Sequence, residues 1–218
     1  MAKKAFVDLD GVLFNAASFR RRYFKFLASL FDIEFALLEV AATYEASKRN
    51  QLYDVDRHIA LLSRVSRHPA FDIRKKVESF MRREAQQFMY ADAELFLQRL
   101  AEMGYEIWIA TAGVDWFQEK KVPAYFYHLI AGVRVTQDTT KVSVIGRFAD
   151  PEKDEIVLFD DTTFVIDTAK GFFPKVCAVQ IRRDNWDGES DLAEFHFNNL
   201  DDAARLFALP TPKINQQQ

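Results

Sequence analysis

Ala5–Val12, AFVDLDGV, is the stretch on which the reading turns. An apolar run from Ala5 to Leu9 ends in acid, at Asp8 and Asp10, and then in Gly11. It reads as a buried strand ending in a turn. The same signature returns downstream. Tyr105–Gly113, YEIWIATAG, is an apolar strand that ends at Thr111, and Ile156–Phe159 is another, closed by Asp160 and Asp161. Around these the spacing predicts a helix near Trp116–Tyr127, a short strand near Val133–Val135 and a helix from about Thr139 to Phe148. A helix near Phe164–Lys170, strands at Val176–Ile181 and Phe195–Phe197, and a helix over Asp201–Leu209 follow. Asp92 reads as the N-cap of a further helix through Leu95, Leu100 and Met103, which Gly104 closes. Strands that are apolar throughout, alternating with helices, imply a parallel sheet covered on both faces, so the fold class is a doubly wound α/β domain.

One region departs from this alternation. Between Asn15 and Tyr90 the apolar residues recur at helical spacing, as in Phe19, Tyr23, Phe26, Leu27, Leu30 and Phe31, and again in Val77, Phe80 and Met81. Roughly four helices are expected, with breaks near Asp32, Asn50–Asp54 and His68-Pro69. The α/β core is thus assigned to 1–14 and 91–210 and the all-helical insertion to 15–90. The polar tail 211–218 is expected to be flexible.

Composition bounds the function. Apolar residues make up 49% of the 218 and charged residues 28%, which excludes disordered and fibrous classes. Lys and Arg total 29 against 32 Asp and Glu, so there is no basic footprint for a nucleic-acid polymer. A single cysteine, Cys177, offers no internal disulfide, and a reducing compartment is the default. The residues after Met1–Lys4 form too short an apolar run for a signal-peptide core, and no stretch is long and apolar enough for a membrane span. The expectation is a cytoplasmic monomer or homodimer with no membrane partner.

In open parallel sheets chemistry collects at the carboxyl ends of the strands. There stand Asp8 and Asp10, Thr111, and Asp160 with Asp161, while Lys141 opens the helix just before the third of these strands. Four carboxylates in a partly dry cleft repel one another and need a cation. Mg²⁺ suits such oxygen donors and leaves positions for water and a phosphate oxygen. With Lys141, a hydroxyl and free backbone amides, the set suits a phosphoryl dianion.

This order of motifs resembles the haloacid dehalogenase-like superfamily. The matching residues are DLDGV (Asp8 to Val12), the strand-terminal Thr111, Lys141, and Asp160-Asp161 after VLF. The resemblance spans the chain outside the helical insertion. It implies Asp8 as a nucleophile that forms an aspartyl-phosphate and Asp10 as general acid and base. Thr111 and Ala112 would hold the phosphoryl oxygens, and Lys141 would neutralise them. Asp8, Asp10 through its main-chain carbonyl, and Asp160 would hold Mg²⁺, with Asp161 in support. An acid at position 10 looks like the phosphatases and phosphomutases of the superfamily; the dehalogenases lack it. The usual DGT reads DGV here, and Lys141 is followed by Val142-Ser143-Val144 where Pro-x-Pro is frequent. The insertion resembles the helical cap that such enzymes carry after the first motif. The implied activity is a Mg²⁺-dependent phosphatase acting on a small phosphorylated metabolite or nucleotide. The alternatives are a phosphomutase of the same superfamily and a non-catalytic ligand-binding protein of this fold.

Several tempting residues read more plainly. Arg20, Arg21 and Arg22 are consecutive, so on a helix they point about 100° apart and cannot share one target; a solvated face is expected. Lys120, Lys121, Lys153 and Lys170 are rivals of Lys141 whose spacing to Asp160 does not fit one helix and one strand. His58, His68, His128 and His196 lack metal-ligand spacing and read as surface or cap residues.

Overall fold

Three strands that are buried over most of their length form the middle of one sheet. They are β1 (Lys3–Val7), β2 (Tyr105–Ala112) and β4 (Glu155–Asp160). With β3 (Gly132–Thr136), β5 (Cys177–Ile181) and β6 (Phe195–Phe197) they make a six-stranded sheet in the order β3-β2-β1-β4-β5-β6, every pair parallel. These elements belong to a computed structural model, which describes residues 1–31, 34, 52–183 and 188–208. The expected flexible tail 211–218 and the breaks near Asp32 and Asn50 lie outside the described residues.

The period-two rule sorts each strand between two cores. Ala5 and Val7, Ile107 and Ile109, Val157 and Phe159 face one side. Phe6, Trp108, Ala110, Ile156 and Leu158 face the other, under the helices that hold Val144, Ile145, Val165 and Ile166. The order of strands reverses at β1, whose neighbours are β2 and β4. A doubly wound sheet opens a crevice at that point, beyond its carboxyl edge.

Among the described residues the α-helices are α1 (Ala16–Phe31), α2 (Val55–Ser66), α3 (Ala70–Glu84), α4 (Ala93–Glu102), α5 (Asp115–Glu119), α6 (Val142–Phe148), α7 (Thr163–Phe172) and α8 (Leu200–Ala208). Asn15 starts α1 by accepting the Ser18 amide at 2.9 Å on its side-chain oxygen. The buried faces of α1, α2 and α3 join the sheet's first core without a break, through Phe19, Tyr23, Leu62 and Phe80. Each such side chain contributes about 1.5–3 kcal/mol of burial. The chain enters and leaves this helical segment side by side. The Asn15 amide donates to the Phe88 carbonyl at 2.8 Å, and the Tyr90 amide to the Leu13 carbonyl at 2.9 Å. Among the described residues no helix is long and apolar enough to cross a membrane.

Several local expectations are corrected. The helix expected near Trp116–Tyr127 is two short pieces, α5 and a 3₁₀ turn at Ala124–Phe126, because Pro123 between them has no N–H to continue the ladder. The helix expected from Thr139 begins at Val142, since Asp138 binds the Thr140 and Ser143 amides in a turn of its own. Asp92 precedes α4 but makes no capping bond. Its carboxylate accepts Arg183 Nη2 at 2.7 and 2.9 Å and the Leu200 amide at 2.9 Å, tying the chain just after β5, and α8, to the start of α4. His58 is buried, not at the surface, with Nδ1 2.7 Å from the Tyr53 hydroxyl. Burial lowers its pKa to about 4, so the imidazole is neutral.

Candidate active site

The carboxyl edge of β1 and β4 is held together by backbone before any side chain is considered. The Asp8 amide donates to the Phe159 carbonyl at 2.9 Å. The chain then turns at Gly11, whose φ of +88° places it in the left-handed region. A side chain there would strike Asp161, since a Cβ would lie 2.0 Å from Asp161 Oδ2. Glycine is therefore required twice over, by conformation and by space.

Lys141 is the hub. It has a left-handed φ of 60°, uncommon outside glycine, and no side-chain capping bond to α6. Asp138 does the capping through the Ser143 amide at 3.1 Å. The lysine side chain is thereby free to run inward. Its Nζ lies 2.8 Å from Asp8 Oδ1 and donates to Asp160 Oδ2 at 2.5 Å. The other Asp160 oxygen accepts the Thr162 amide at 3.0 Å. Asp8, Asp160 and Asp161 each offer an oxygen, all within 4.8 Å of one another.

The electrostatics follow from that count. Three carboxylates face one ammonium in a buried setting. Burial pushes the Asp8 carboxyl well above its ordinary range; Lys141 opposes this, and Asp160 and Asp161 add to it. Burial, with the Asp160 charge beside it, pushes Asp161 up to about 7. Burial alone would lower Lys141, but Asp160 and Asp8 outweigh it and hold the ammonium charged. Hard oxygen donors with an excess of negative charge suit a divalent cation such as Mg²⁺, and the residues present fit one.

Thr111 and Ala112 end β2 beside this cluster, and both line a cavity of about 890 Å³ that also takes in Asp8, Asp10, Lys141 and Asp161. The structure therefore brings every candidate from the sequence except Asp160 to the cavity wall, and Asp160 sits directly behind it on Lys141. Asp10 stands apart from the cation cluster. Its carboxylate accepts Lys121 Nζ at 2.8 and 2.7 Å and Gln118 Nε2 at 3.1 Å. These two partners were not expected. By sequence Lys121 is only a rival of Lys141, and the short helix before it does not mark which way its side chain points.

The far wall comes from the helical segment, with Arg20, Leu52 and Tyr53. Of the three consecutive arginines, Arg20 borders the cavity, Arg22 pairs with Glu84 at 2.6 and 2.8 Å, and Arg21 is exposed. The solvated-face expectation holds, since all three side chains are exposed, and Arg20 in addition borders the cavity because one residue in three meets a given direction on a helix.

No protein-family model matches the sequence, and no curated relative matches it either. Solved structures do. A HAD phosphatase from Thermococcus onnurineus is 19% identical and superposes with a TM-score of 0.69 over 94% of this chain and 98% of its own. YfnB from Bacillus subtilis, described as a HAD-hydrolase and solved bound to magnesium, is 13% identical with a TM-score of 0.67 over 95% and 99%. CbbY from Rhodobacter sphaeroides, solved in complex with phosphate, is 15% identical with a TM-score of 0.59 over 92% and 95%. Identities this low speak to architecture, and the architecture is shared nearly end to end: the fold of this chain is that of the haloacid dehalogenase-like hydrolases.

Proposed function

We propose that the chain is a Mg²⁺-dependent phosphatase that hydrolyses a small phosphorylated metabolite or nucleotide through an aspartyl-phosphate on Asp8. The observation that carries this reading is the cluster of Lys141 with Asp8, Asp160 and Asp161, opening beside Thr111 onto one cavity. Such a cluster can accept a cation and a phosphoryl dianion together.

Asp8, Asp160 and the main-chain carbonyl of Asp10 would hold Mg²⁺, with Asp161 in support. The cation would supply charge neutralisation and orientation for the phosphoryl oxygens. The remaining work falls to the chain. An Asp8 oxygen attacks phosphorus and the bond from phosphorus to the leaving oxygen breaks. Asp10 gives its proton to that oxygen. Asp10 then takes a proton from water, which attacks the phosphoryl group, frees Asp8 and yields inorganic phosphate. Thr111, the Ala112 amide and Lys141 hold the non-bridging oxygens throughout. The helical insertion 15–90 acts as a cap that excludes water and contacts the leaving group.

The test is phosphate release from a panel of phosphomonoesters with Mg²⁺ and with chelator. Turnover is expected only with the metal, and Asp8→Asn should lower it by about 10³-fold or more while circular dichroism stays unchanged. Full activity in Asp8→Asn would overturn the reading. Phosphoryl transfer between two hydroxyls of one sugar, with no phosphate released, would assign a phosphomutase instead.

A further inference from the structure

The second acid is not left to find its own position. Asp10 follows Asp8 by two residues, yet its carboxylate lies outside the trio of Asp8, Asp160 and Asp161. Lys121 bridges both of its oxygens, and Gln118 adds a third bond. The other Gln118 Nε2 hydrogen goes to the Ala112 carbonyl at 2.7 Å, so the amide nitrogen is held between two acceptors.

Lys121 is an unusual residue to find in this place. Its side chain is 5% exposed, while that of Asp10 is 31% exposed and faces the cavity. Three rings surround the ammonium, with Phe14, Phe19 and Phe117 centroids at 5.1, 5.5 and 5.4 Å. An ammonium buried among aromatic rings is costly unless a carboxylate meets it, and here the only carboxylate described in contact with it is Asp10. The rings can hold the cation from behind by attraction to their faces. The stem and ammonium thus form a rigid post, and the post orients one edge of Asp10 while the other edge stays open to the cavity.

We propose that Lys121, with Gln118, is the positioning residue of Asp10: it keeps the second carboxylate out of the cation cluster and aims its open edge at the leaving oxygen and then at the attacking water. This rests on the phosphatase reading above and assigns a residue that the sequence motifs do not contain. Without the post, Asp10 is drawn toward the same cation as Asp8, Asp160 and Asp161 and loses its line to the leaving group.

Leaving-group chemistry separates a positioning role from a merely structural one. When an alkyl phosphate is cleaved, the departing oxygen must receive the Asp10 proton as its bond to phosphorus breaks. When 4-nitrophenyl phosphate is cleaved, nitrophenolate departs as the anion and needs no proton. The second step needs Asp10 in both cases, since water must lose a proton as it attacks the aspartyl-phosphate.

The experiment compares wild type, Lys121→Met, Gln118→Leu and Asp10→Asn on glycerol phosphate and on 4-nitrophenyl phosphate, by rapid mixing and in steady state with Mg²⁺. Lys121→Met should lower kcat on glycerol phosphate by about 100-fold, the scale of a lost general acid. On 4-nitrophenyl phosphate it should show a burst of nitrophenolate close to one per enzyme, followed by slow turnover. Asp10→Asn should give the same pattern, and the double variant should lose little more, because the two residues act as one unit. Gln118→Leu, which strands no buried charge, should carry the same signature at about tenfold and keeps the test decisive if Lys121→Met fails to fold. Equal losses on both substrates with no burst, or wild-type rates in both variants, would overturn the assignment and leave the phosphatase reading standing. A wild-type chain that releases no phosphate from any ester would overturn that reading and this assignment with it.

Discussion

Among the described residues two lysines are buried within hydrogen-bond reach of aspartates, and their surroundings differ in kind. Lys141 is set among carboxylates. It meets Asp8 and Asp160, with Asp161 alongside, so the region carries more negative charge than the ammonium can cancel. Lys121 is set among rings. It meets Asp10 alone, and the pair is balanced. The first arrangement is incomplete as it stands and calls for a further cation. The second is complete and holds a side chain in place. The same ion pair thus prepares a binding site in one region and a fixed geometry in the other, and what decides between them is the count of neighbouring charges.

Removing each cation should expose that difference. Lys141→Met leaves three carboxylates uncompensated beneath the cavity. In chelator it should destabilise the fold by about 3–5 kcal/mol, the range for breaking a buried pair. Urea midpoints in chelator and in Mg²⁺ measure this, and the metal should restore part of the loss. A third basic group tests the rule from the other side. His58 is as buried as either lysine, but it meets a tyrosine hydroxyl in place of a carboxylate. It is accordingly neutral, with a pKa lowered by burial from 6.5 to about 4. The unfolded chain binds a proton there that the folded chain refuses, so this residue's contribution is intact above about pH 6.5 and is lost as pH falls through about 4. The shift corresponds to about 3 kcal/mol, and His58→Phe should remove that component from the pH dependence of stability. Identical acid profiles for the two proteins would break the comparison. Lys121→Met should cost least, about 1–3 kcal/mol, because methionine suits the ring-lined slot and the stranded Asp10 can still reach water. A loss equal to that of Lys141→Met would show that the two regions are built alike after all.

The sheet was legible because its central strands carry unbroken apolar runs, Ala5–Val7, Ile107–Ala110 and Ile156–Phe159, where a half-solvated strand would alternate. The placement of Asp8, Thr111, Lys141 and Asp160 at one edge was legible for the same reason: each residue closes a strand or opens a helix, so topology alone gathers them. What escaped depends on partners distant in sequence. Asp92 has the residue type and position of a cap, yet Arg183 and the Leu200 amide claim its oxygens. Lys121 follows a helix of five residues, too short to show a periodicity that would reveal which way it points. His58 is different, since the signal was present. Val55, His58, Ile59 and Leu62 repeat at i, i+3, i+4 and i+7, which places the histidine in the apolar stripe of α2.

The paired crossing at Leu13–Asn15 and Phe88–Tyr90 also sets a timetable for folding. β1 must find β2 across the whole helical segment, a long loop to close. Closure entropy grows only with the logarithm of length, so extending a loop from roughly 10 to roughly 90 residues costs about 2 kcal/mol. The two crossing hydrogen bonds recover that cost early if they form first, because they leave β1 separated from β2 by little more than α4. The expected sequence of events is collapse of the helical segment, closure of its two ends, and then pairing of β1 with β2. Leu13, fully buried at the crossing, reports on it. Leu13→Ala should act mainly by slowing folding, and a variant that instead accelerates unfolding at an unchanged folding rate would place this closure after the sheet has formed.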